Sequence, residues 1–230
     1  MGTNLKAGLY LLSTPIGNRG DITIRTLEIL KECDLIVAED TRVARKLLSM
    51  YQISLDGRNP TSYSDNSNSY ARRKLVESIC NGKSVALISD AGTPGISDPG
   101  FLLIRECIKN NIEIECLPGA TALIPALVNS GLPSDRFLFE GFLPVKKGRT
   151  KRLKELSTET RTMVFYESPH RILKTLNDFS NYFNVESQIS VSRELTKLYE
   201  ETFRGTIKES VEHFEKNKTK GEFVIVLSPK

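Results

Sequence analysis

The chain has 230 residues, of which 39% are hydrophobic and 26% are charged. This composition is ordinary for a globular protein and excludes a disordered chain, a collagen and a coiled coil. The net charge of +4 is mildly basic and alone decides nothing about nucleic acid. No apolar run approaches the roughly 20 residues of a membrane span. We interpret the apolar stretch within residues 1–12 as a buried strand and not as a signal peptide, because it holds Lys6 and lacks a cleavage pattern.

The four cysteines have no C-x-x-C spacing, and each lies in an apolar context. This pattern predicts four reduced, buried thiols in a cytoplasmic protein. The chain has only two histidines, which argues against a metal site.

The first half of the chain alternates short apolar runs with helical periodicity. Asp21 is predicted to cap the first helix, and Asp98, followed by Pro99, is predicted to cap the helix over 101–108. Strands are predicted at 9–12, 35–38, 85–88 and 112–116, with a short strand near Tyr63 in a polar loop over 57–69, and helices at 24–30, 41–50, 71–80, 101–108 and 120–128. This alternation predicts a mostly parallel sheet covered by helices.

The second half of the chain has more strands and fewer helices. Strands are predicted at 137–142, 162–166, 189–193, 202–207 and 223–227. This pattern predicts a mixed or antiparallel sheet. We therefore predict an α/β protein with an amino-terminal domain over 1–118 and a carboxyl-terminal domain over 119–230.

Turn clusters follow four strands of the first half, at 13–18, 39–42, 89–100 and 117–122. Ligands bind outside the carboxyl ends of the strands of open α/β sheets, so these clusters predict a ligand site. For any one cluster, a simple strand-to-helix turn is an equally good interpretation. Neither a G-x-G-x-x-G motif after the first strand nor a P-loop occurs, and the segment 95–99 lacks the second glycine of a nucleophile elbow.

Seven short sequence runs, which occur in a fixed order along the chain, carry a specific resemblance to one protein family. They lie at 14–18, 38–42, 89–100, 118–120, 139–144, 165–171 and 193–197. With these runs the chain resembles the tetrapyrrole methylase superfamily, and within it the branch that acts on small-subunit ribosomal RNA. The resemblance covers about 9–227.

The resemblance implies transfer of a methyl group from S-adenosylmethionine to the ribose 2′-hydroxyl of a cytidine in 16S ribosomal RNA. It implies a fold of two α/β domains, with the carboxyl-terminal domain closing a cofactor cleft. It also implies the small ribosomal subunit as partner, a homodimer, and no metal or membrane.

The resemblance also assigns site residues. Those implied for cofactor binding are Pro15, Asp90, Gly92, Thr93, Ile96, Ser97, Asp98, Ala120, Thr121 and, in the second domain, Phe165. The residues predicted for RNA binding are Asn18, Arg42, His170, Arg171 and Arg193, together with Lys146, Lys147 and Arg149, which are predicted from a basic run and not from the resemblance.

A carboxylate that accepts the proton of the 2′-hydroxyl would assist the transfer. The candidates are Asp40, Glu167 and Glu194. The favoured alternative for each is an ion pair with Arg42, Arg171 or Arg193 respectively. His170, predicted in the first turn of a helix, either contacts the substrate or hydrogen-bonds at the helix start.

The segment 146–154 carries six positive charges and no acidic residue. Such a run neutralises phosphates, although a solvated helix start is the alternative. The charge alone does not separate RNA from an anionic tetrapyrrole.

The chain departs from the family in three places. Val43 and Ala44 stand where the family often has histidine and threonine, and 63–68 lacks the family's histidine and glutamate, so a histidine base from either place is excluded. The chain also stops soon after the strand at 223–227, so we expect any RNA contact made by a longer carboxyl end to be missing.

Two other functions stay open. One is a tetrapyrrole C-methyltransferase of the precorrin or uroporphyrinogen type, because a fold does not fix a substrate. The other is a ribosome assembly factor that binds S-adenosylmethionine without turnover. The runs at 39–42 and 165–171 match the RNA enzymes more closely.

Overall fold

The computed structural model describes residues 5–65, 69–217 and 219–229. The chain divides into two compact units, unit 1 over Met1–Thr121 and unit 2 over Ala122–Lys230. No helix in these described ranges is both long and apolar enough to cross a membrane.

Unit 1 contains a five-stranded sheet in the order β3-β2-β4-β1-β5. Its strands are β1 (Gly8–Leu12), β2 (Leu35–Ala38), β3 (Thr61–Ser62), β4 (Ser84–Ile88) and β5 (Ile114–Cys116). All neighbouring pairs are parallel, which confirms the predicted parallel sheet. Two inner strands, β1 and β4, are buried along their whole length, as strands covered on both faces must be.

Four helices and a short 3₁₀ helix (Arg19–Asp21) complete unit 1. The helices are α1 (Ile24–Glu32), α2 (Thr41–Met50), α3 (Ser69–Cys80) and α4 (Phe101–Lys109). Successive residues of β1 enter opposite cores, since Leu12 packs in one hydrophobic cluster and Leu11 in another. Residues 66–68 of the predicted polar loop lie outside the described residues.

Two predicted helix caps are wrong. Thr23, and not Asp21, caps α1, and its hydroxyl accepts from the Thr26 amide at 3.1 Å. Gly100, with φ 144°, directly precedes α4. The Asp65 carboxylate accepts from the amides of Gly100 and Leu102 at 3.2 and 3.3 Å. A side chain from a distant loop thus satisfies amides at the start of α4, which a local pattern does not reveal.

The prediction of four buried thiols is also wrong. Cys33 and Cys107 are buried, but Cys80 and Cys116 are exposed. Cys80 is the last residue of α3, and Cys116 ends the edge strand β5. All four thiols are free.

Unit 2 contains a five-stranded mixed sheet in the order β6-β7-β10-β8-β9. The strands are β6 (Phe137–Phe142), β7 (Thr162–Glu167), β8 (Gln188–Arg193), β9 (Glu201–Thr206) and β10 (Phe223–Ser228), and the helices are α5 (Leu123–Ser130), α6 (Arg149–Leu156), α7 (Ile172–Tyr182) and α8 (Ile207–Lys216). β6 and β7 pair in parallel and the other three neighbouring pairs of the described strands are antiparallel, which confirms the predicted mixed sheet. The last strand, β10, lies in the middle of the sheet.

Candidate active site

Three of the four turn clusters meet at the carboxyl edge of the unit 1 sheet. The turn after β1 pairs with the loop after β4 through an antiparallel bridge between Thr14 and Gly92. Both amide–carbonyl hydrogen bonds of this bridge measure 2.9 Å. The bridge holds two loops together although the strands before them are parallel.

A chain of hydroxyl contacts adds the turn after β5. The Thr93 hydroxyl donates to the Ala120 carbonyl at 3.0 Å. Since a threonine hydroxyl carries one hydrogen, the Ser13 hydroxyl is the donor in the 2.9 Å contact between Ser13 Oγ and Thr93 Oγ1. Residues from three loops are therefore joined around Thr93.

Two glycines at this junction are needed for different reasons. Gly92 has φ +83°, a conformation that side chains with a Cβ rarely adopt. Gly119 is needed for space, since a Cβ there would lie 2.6 Å from Ser13 Cβ. Close packing of the loops, and not only tight turning, accounts for the glycines at this edge.

The fourth cluster is connected through Asp90. Its carboxylate accepts from the Asp40 amide at 3.1 Å, which joins the end of β2 to the loop after β4. Burial raises the pKa of Glu39 above its usual value, and the charges of Asp90 and Asp40 raise it further. Three carboxylates therefore crowd this edge and give it a negative potential.

Asp40 is paired with Arg42, as the favoured alternative predicts. The Asp40 carboxylate caps α2 by accepting from the Arg42 amide at 2.7 Å, and Arg42 Nη2 donates to Oδ2 at 2.5 Å. These contacts, first those from the Arg42 side chain, lower the pKa of Asp40 to about 2. Asp40 is therefore ionised at neutral pH but a weak base there.

Replacing Arg42 with glutamine is expected to raise the pKa of Asp40 from about 2 towards its ordinary value of about 3.9. A lowered folded-state pKa stabilises the fold above the unfolded value, and this stabilisation is lost as the pH falls through the folded value. The variant should therefore lack this stabilisation near neutral pH, and its stability should depend less on pH between about 2 and 4 than that of the wild type. Carboxyl-carbon NMR titration measures the pKa. Arg45→Gln on the same helix is the control, and equal pKa values in both variants would contradict the pairing.

The other predicted cofactor residues of unit 1 also lie along these loops. Ile96 is 38% exposed, and Ser97, with φ 63°, is exposed. Pro15, Asp98 and Thr121 are half-buried. The unit 1 residues assigned by resemblance thus form one rim of polar, small and apolar groups.

Glu167 belongs to a buried network in unit 2. Its Oε1 accepts from the Ser168 amide and from Arg171 Nε, both at 2.8 Å, and its Oε2 accepts from the Thr175 hydroxyl at 2.7 Å. Both oxygens are engaged at a side chain that is 2% exposed. The contacts favour the predicted ion pair with Arg171 over a catalytic role.

The structure places Arg149 in the same network and not on the surface. Its guanidinium donates to Asp178 at 2.7 Å, to the Pro144 carbonyl at 3.1 Å and to the Thr175 hydroxyl at 2.8 Å. Arg149 begins α6 on the face that also buries Leu153. Because all three nitrogens point inward, Arg149 does not offer its charge to a phosphate.

Glu194 is paired differently from the prediction. It accepts from Lys197 Nζ at 2.8 Å and from the Glu222 amide at 2.9 Å, and its pKa is lowered by these contacts against the effect of burial. The predicted partner, Arg193, instead pairs with Glu201 at 3.0 Å. The antiparallel register of β8 and β9 sets Arg193 opposite Glu201.

The structure also places three further predicted site residues, His170, Asn18 and Phe165. His170 is exposed in the turn before α7, not in its first turn. The Asn18 side chain accepts from the Gly20 amide and caps the 3₁₀ helix. The Phe165 ring is buried against Phe179, with 5.0 Å between ring centroids, so the structure does not present this ring for covering an adenine.

Ser13 and Gly119 lie in two of the predicted turn clusters but are not among the predicted site residues. Asp65 and Thr175, which bind partners distant in the sequence, are not predicted either. A serine and a glycine in two separate turns give no signal that they touch. Within the described ranges, no group of three or more His, Cys, Asp or Glu side chains is placed to hold a metal ion.

The chain is similar to known proteins along almost its whole length. Residues 8–210 match the tetrapyrrole (corrin/porphyrin) methylases. A ribosomal RNA small subunit methyltransferase I from Synechocystis is 48% identical over 221 residues, which cover 96% of this chain and 78% of that protein. The protein of that name from Thermotoga maritima is 45% identical over 222 residues, which cover 96% and 98% respectively.

A solved structure supports the fold. It is the uroporphyrin-III C-methyltransferase of Thermus thermophilus in complex with S-adenyl homocysteine, with a TM-score of 0.64 at 16% identity, covering 96% of this chain and 97% of that one. Identity this low bears on the fold alone. The family match and the near full-length relatives place the chain in the tetrapyrrole methylase family, together with the ribosomal RNA small subunit methyltransferase I proteins.

Proposed function

We propose that this protein is a methyltransferase that uses S-adenosylmethionine to methylate the ribose 2′-hydroxyl of a cytidine in 16S ribosomal RNA. The identity of 45 to 48% to relatives named ribosomal RNA small subunit methyltransferase I carries this proposal. The solved tetrapyrrole methylases share the fold at much lower identity, so they do not favour a tetrapyrrole substrate.

The loop rim of unit 1 fits this cofactor chemically. S-adenosylmethionine carries a positive sulfonium and an ammonium group, and Glu39 and Asp90 supply negative charge at the rim beyond that of Asp40, which Arg42 balances. The exposed side chain of Ile96 offers apolar surface for the adenine. We place the cofactor against these residues and against Gly92, Thr93, Ala120 and Thr121.

When bound, S-adenosylmethionine supplies an already activated methyl group. The residues of this chain then bind and orient. The Ser13–Thr93–Ala120 contacts and the Thr14–Gly92 bridge fix the three loops before any ligand arrives. Fixed loops lower the entropy that is lost when two reactants are aligned, and this term reaches several kcal/mol in well-oriented reactions.

The pairing of the three predicted catalytic carboxylates supports a binding and orienting mechanism. Asp40, Glu167 and Glu194 are each held by an arginine or a lysine. Of the three, only Asp40 lies in unit 1, and its low pKa makes it a poor proton acceptor. We therefore propose that Asp40 holds Arg42 and the start of α2 in place and does not remove the proton.

The small ribosomal subunit is the proposed partner, and the cytoplasm is the proposed location. We further propose a homodimer. On α5, Ile124 is 47% and Val128 is 68% exposed, one turn apart, so they offer an apolar strip to a second copy. Light scattering coupled to size exclusion measures the mass, and a monomer at micromolar concentration would contradict this point.

A transfer assay with tritiated S-adenosylmethionine tests the activity. Isolated small subunits, bare 16S RNA and a tetrapyrrole precursor are offered in parallel. We expect label in RNA that survives alkali as a dinucleotide, because a methylated 2′-oxygen cannot attack the neighbouring phosphate. Label in the tetrapyrrole alone would refute the proposal, and binding of the cofactor with no transfer to any acceptor would favour an assembly factor.

A further inference from the structure

Four exposed lysines lie in the turn before α6 and along this helix, and we call them the lysine surface: Lys146, Lys147, Lys151 and Lys154. Three of them line a groove of about 710 Å³ together with Thr150, Thr158 and Glu155. Lys151 and Lys154 are three residues apart on α6 and therefore lie on one face of this helix.

The arginines and lysines of this segment are used differently. Arg149 is buried in the network of Glu167, and Arg152 donates to Glu140 at 2.7 Å and to Glu155 at 3.0 Å. In contrast, Lys146, Lys147 and Lys154 form no ion pair within the described residues, and Lys151 only approaches Glu155 at 4.0 Å. The arginines fix the helix, while the charges of Lys146, Lys147 and Lys154 face solvent without an acidic partner among the described residues.

The backbone under the lysine surface is held by the buried network. Arg171 donates to the Leu143 carbonyl at 3.1 Å, and Arg149 donates to the Pro144 carbonyl at the same distance. The Arg149 amide closes the turn on the Lys146 carbonyl at 3.2 Å. The turn that carries Lys146 and Lys147 is thus fixed before binding, which lowers the entropic cost of association.

We propose that the lysine surface binds the sugar–phosphate backbone of the ribosomal RNA substrate. This inference rests on the proposed function and adds the part of the chain that holds the RNA. Ammonium groups are compact charges that contact phosphates without demanding a fixed geometry, and the Thr150 hydroxyl in the groove is suited to a phosphate oxygen. Arg149, although in the same basic run, takes no part.

The test is a variant with all four lysines replaced by glutamine. Binding of bare 16S RNA and of small subunits is measured by filter retention over a series of salt concentrations. Each lost phosphate contact reduces the salt slope by about 0.7 on single strands, so we expect a slope lower by about two to three and an affinity lower by roughly tenfold or more. Affinity for S-adenosylmethionine, measured by calorimetry, should not change.

The matched control replaces four other exposed lysines and makes the same change in net charge: Lys31, Lys74, Lys208 and Lys216. We expect it to keep most of the wild-type affinity. Equal effects of both variants would show a general charge effect and overturn the proposal. Loss of affinity for subunits but not for bare RNA would assign the surface to a ribosomal protein, which also overturns it.

Methylation by the wild type separates this proposal from the proposed function. Failure of the wild type to label RNA would refute the proposed function. Normal labelling by the wild type, together with unchanged RNA affinity of the fourfold variant, would refute the lysine surface alone.

Discussion

Replacing Glu167 with alanine is expected to lower the free energy of unfolding by about 2 to 4 kcal/mol. The carboxylate is 2% exposed and receives hydrogen bonds from Arg171, Thr175 and the Ser168 amide. Its loss leaves the Arg171 guanidinium, itself only 20% exposed, without a counter-charge. Urea unfolding followed by circular dichroism measures the change.

The control for this prediction is Glu155→Ala, which removes a carboxylate that is 47% exposed and paired with Arg152. A surface pair of this kind contributes about 1 kcal/mol or less. Thr175→Val should be non-additive with Glu167→Ala, because Thr175 links Glu167 to Arg149. Full stability combined with lost turnover in Glu167→Ala would instead restore Glu167 as a catalytic residue.

Replacing Gly119 with alanine is expected to weaken S-adenosylmethionine binding by at least tenfold, or about 1.4 kcal/mol. The added Cβ would lie 2.6 Å from Ser13 Cβ and 3.0 Å from Ser13 Oγ, well inside contact distance. One of the two loops must therefore move, and the Ser13–Thr93–Ala120 contacts move with it. Calorimetric titration with the cofactor measures the loss.

Gly57→Ala separates this steric effect from backbone strain. Gly57 has φ +84° but nothing within 4 Å of an added Cβ, whereas Gly119 is not among the positive-φ residues. The control should lower stability by about 1 kcal/mol and leave cofactor affinity intact. Unchanged affinity in Gly119→Ala, with the fold preserved by circular dichroism, would show that the junction of loops does not shape the cofactor site.

Local sequence patterns were sufficient for most of the fold. The run at 9–12 predicts a buried strand, and the structure has β1 over Gly8–Leu12. The cap of α4 could not be predicted from local patterns, because the amides at the start of this helix are bound by Asp65, which lies in a loop over thirty residues earlier. A motif such as Asp98–Pro99 describes local preference, and a distant carboxylate overrides it.

The candidate site could be predicted as a set of loops but not as a set of contacts. Parallel strands place their carboxyl ends at one edge, so the positions of 13–18 and 89–100 follow from topology. That Ser13 touches Gly119 depends on the spacing of β1 and β5, which no local pattern encodes. The inward direction of the Arg149 side chain likewise depends on which face of α6 packs on α7. The run of basic residues does not distinguish Arg149 from its exposed neighbours.

The strand order has a consequence for how the protein emerges during translation. β1 is made first, yet its neighbours in the sheet, β4 and β5, are made much later. The apolar segment Leu9–Leu12 therefore leaves the ribosome without a strand partner and stays open to aggregation until β4 follows. In unit 2 the central strand, β10, is the last strand to be made, so the sheet of this unit is completed only after β10 has been synthesised.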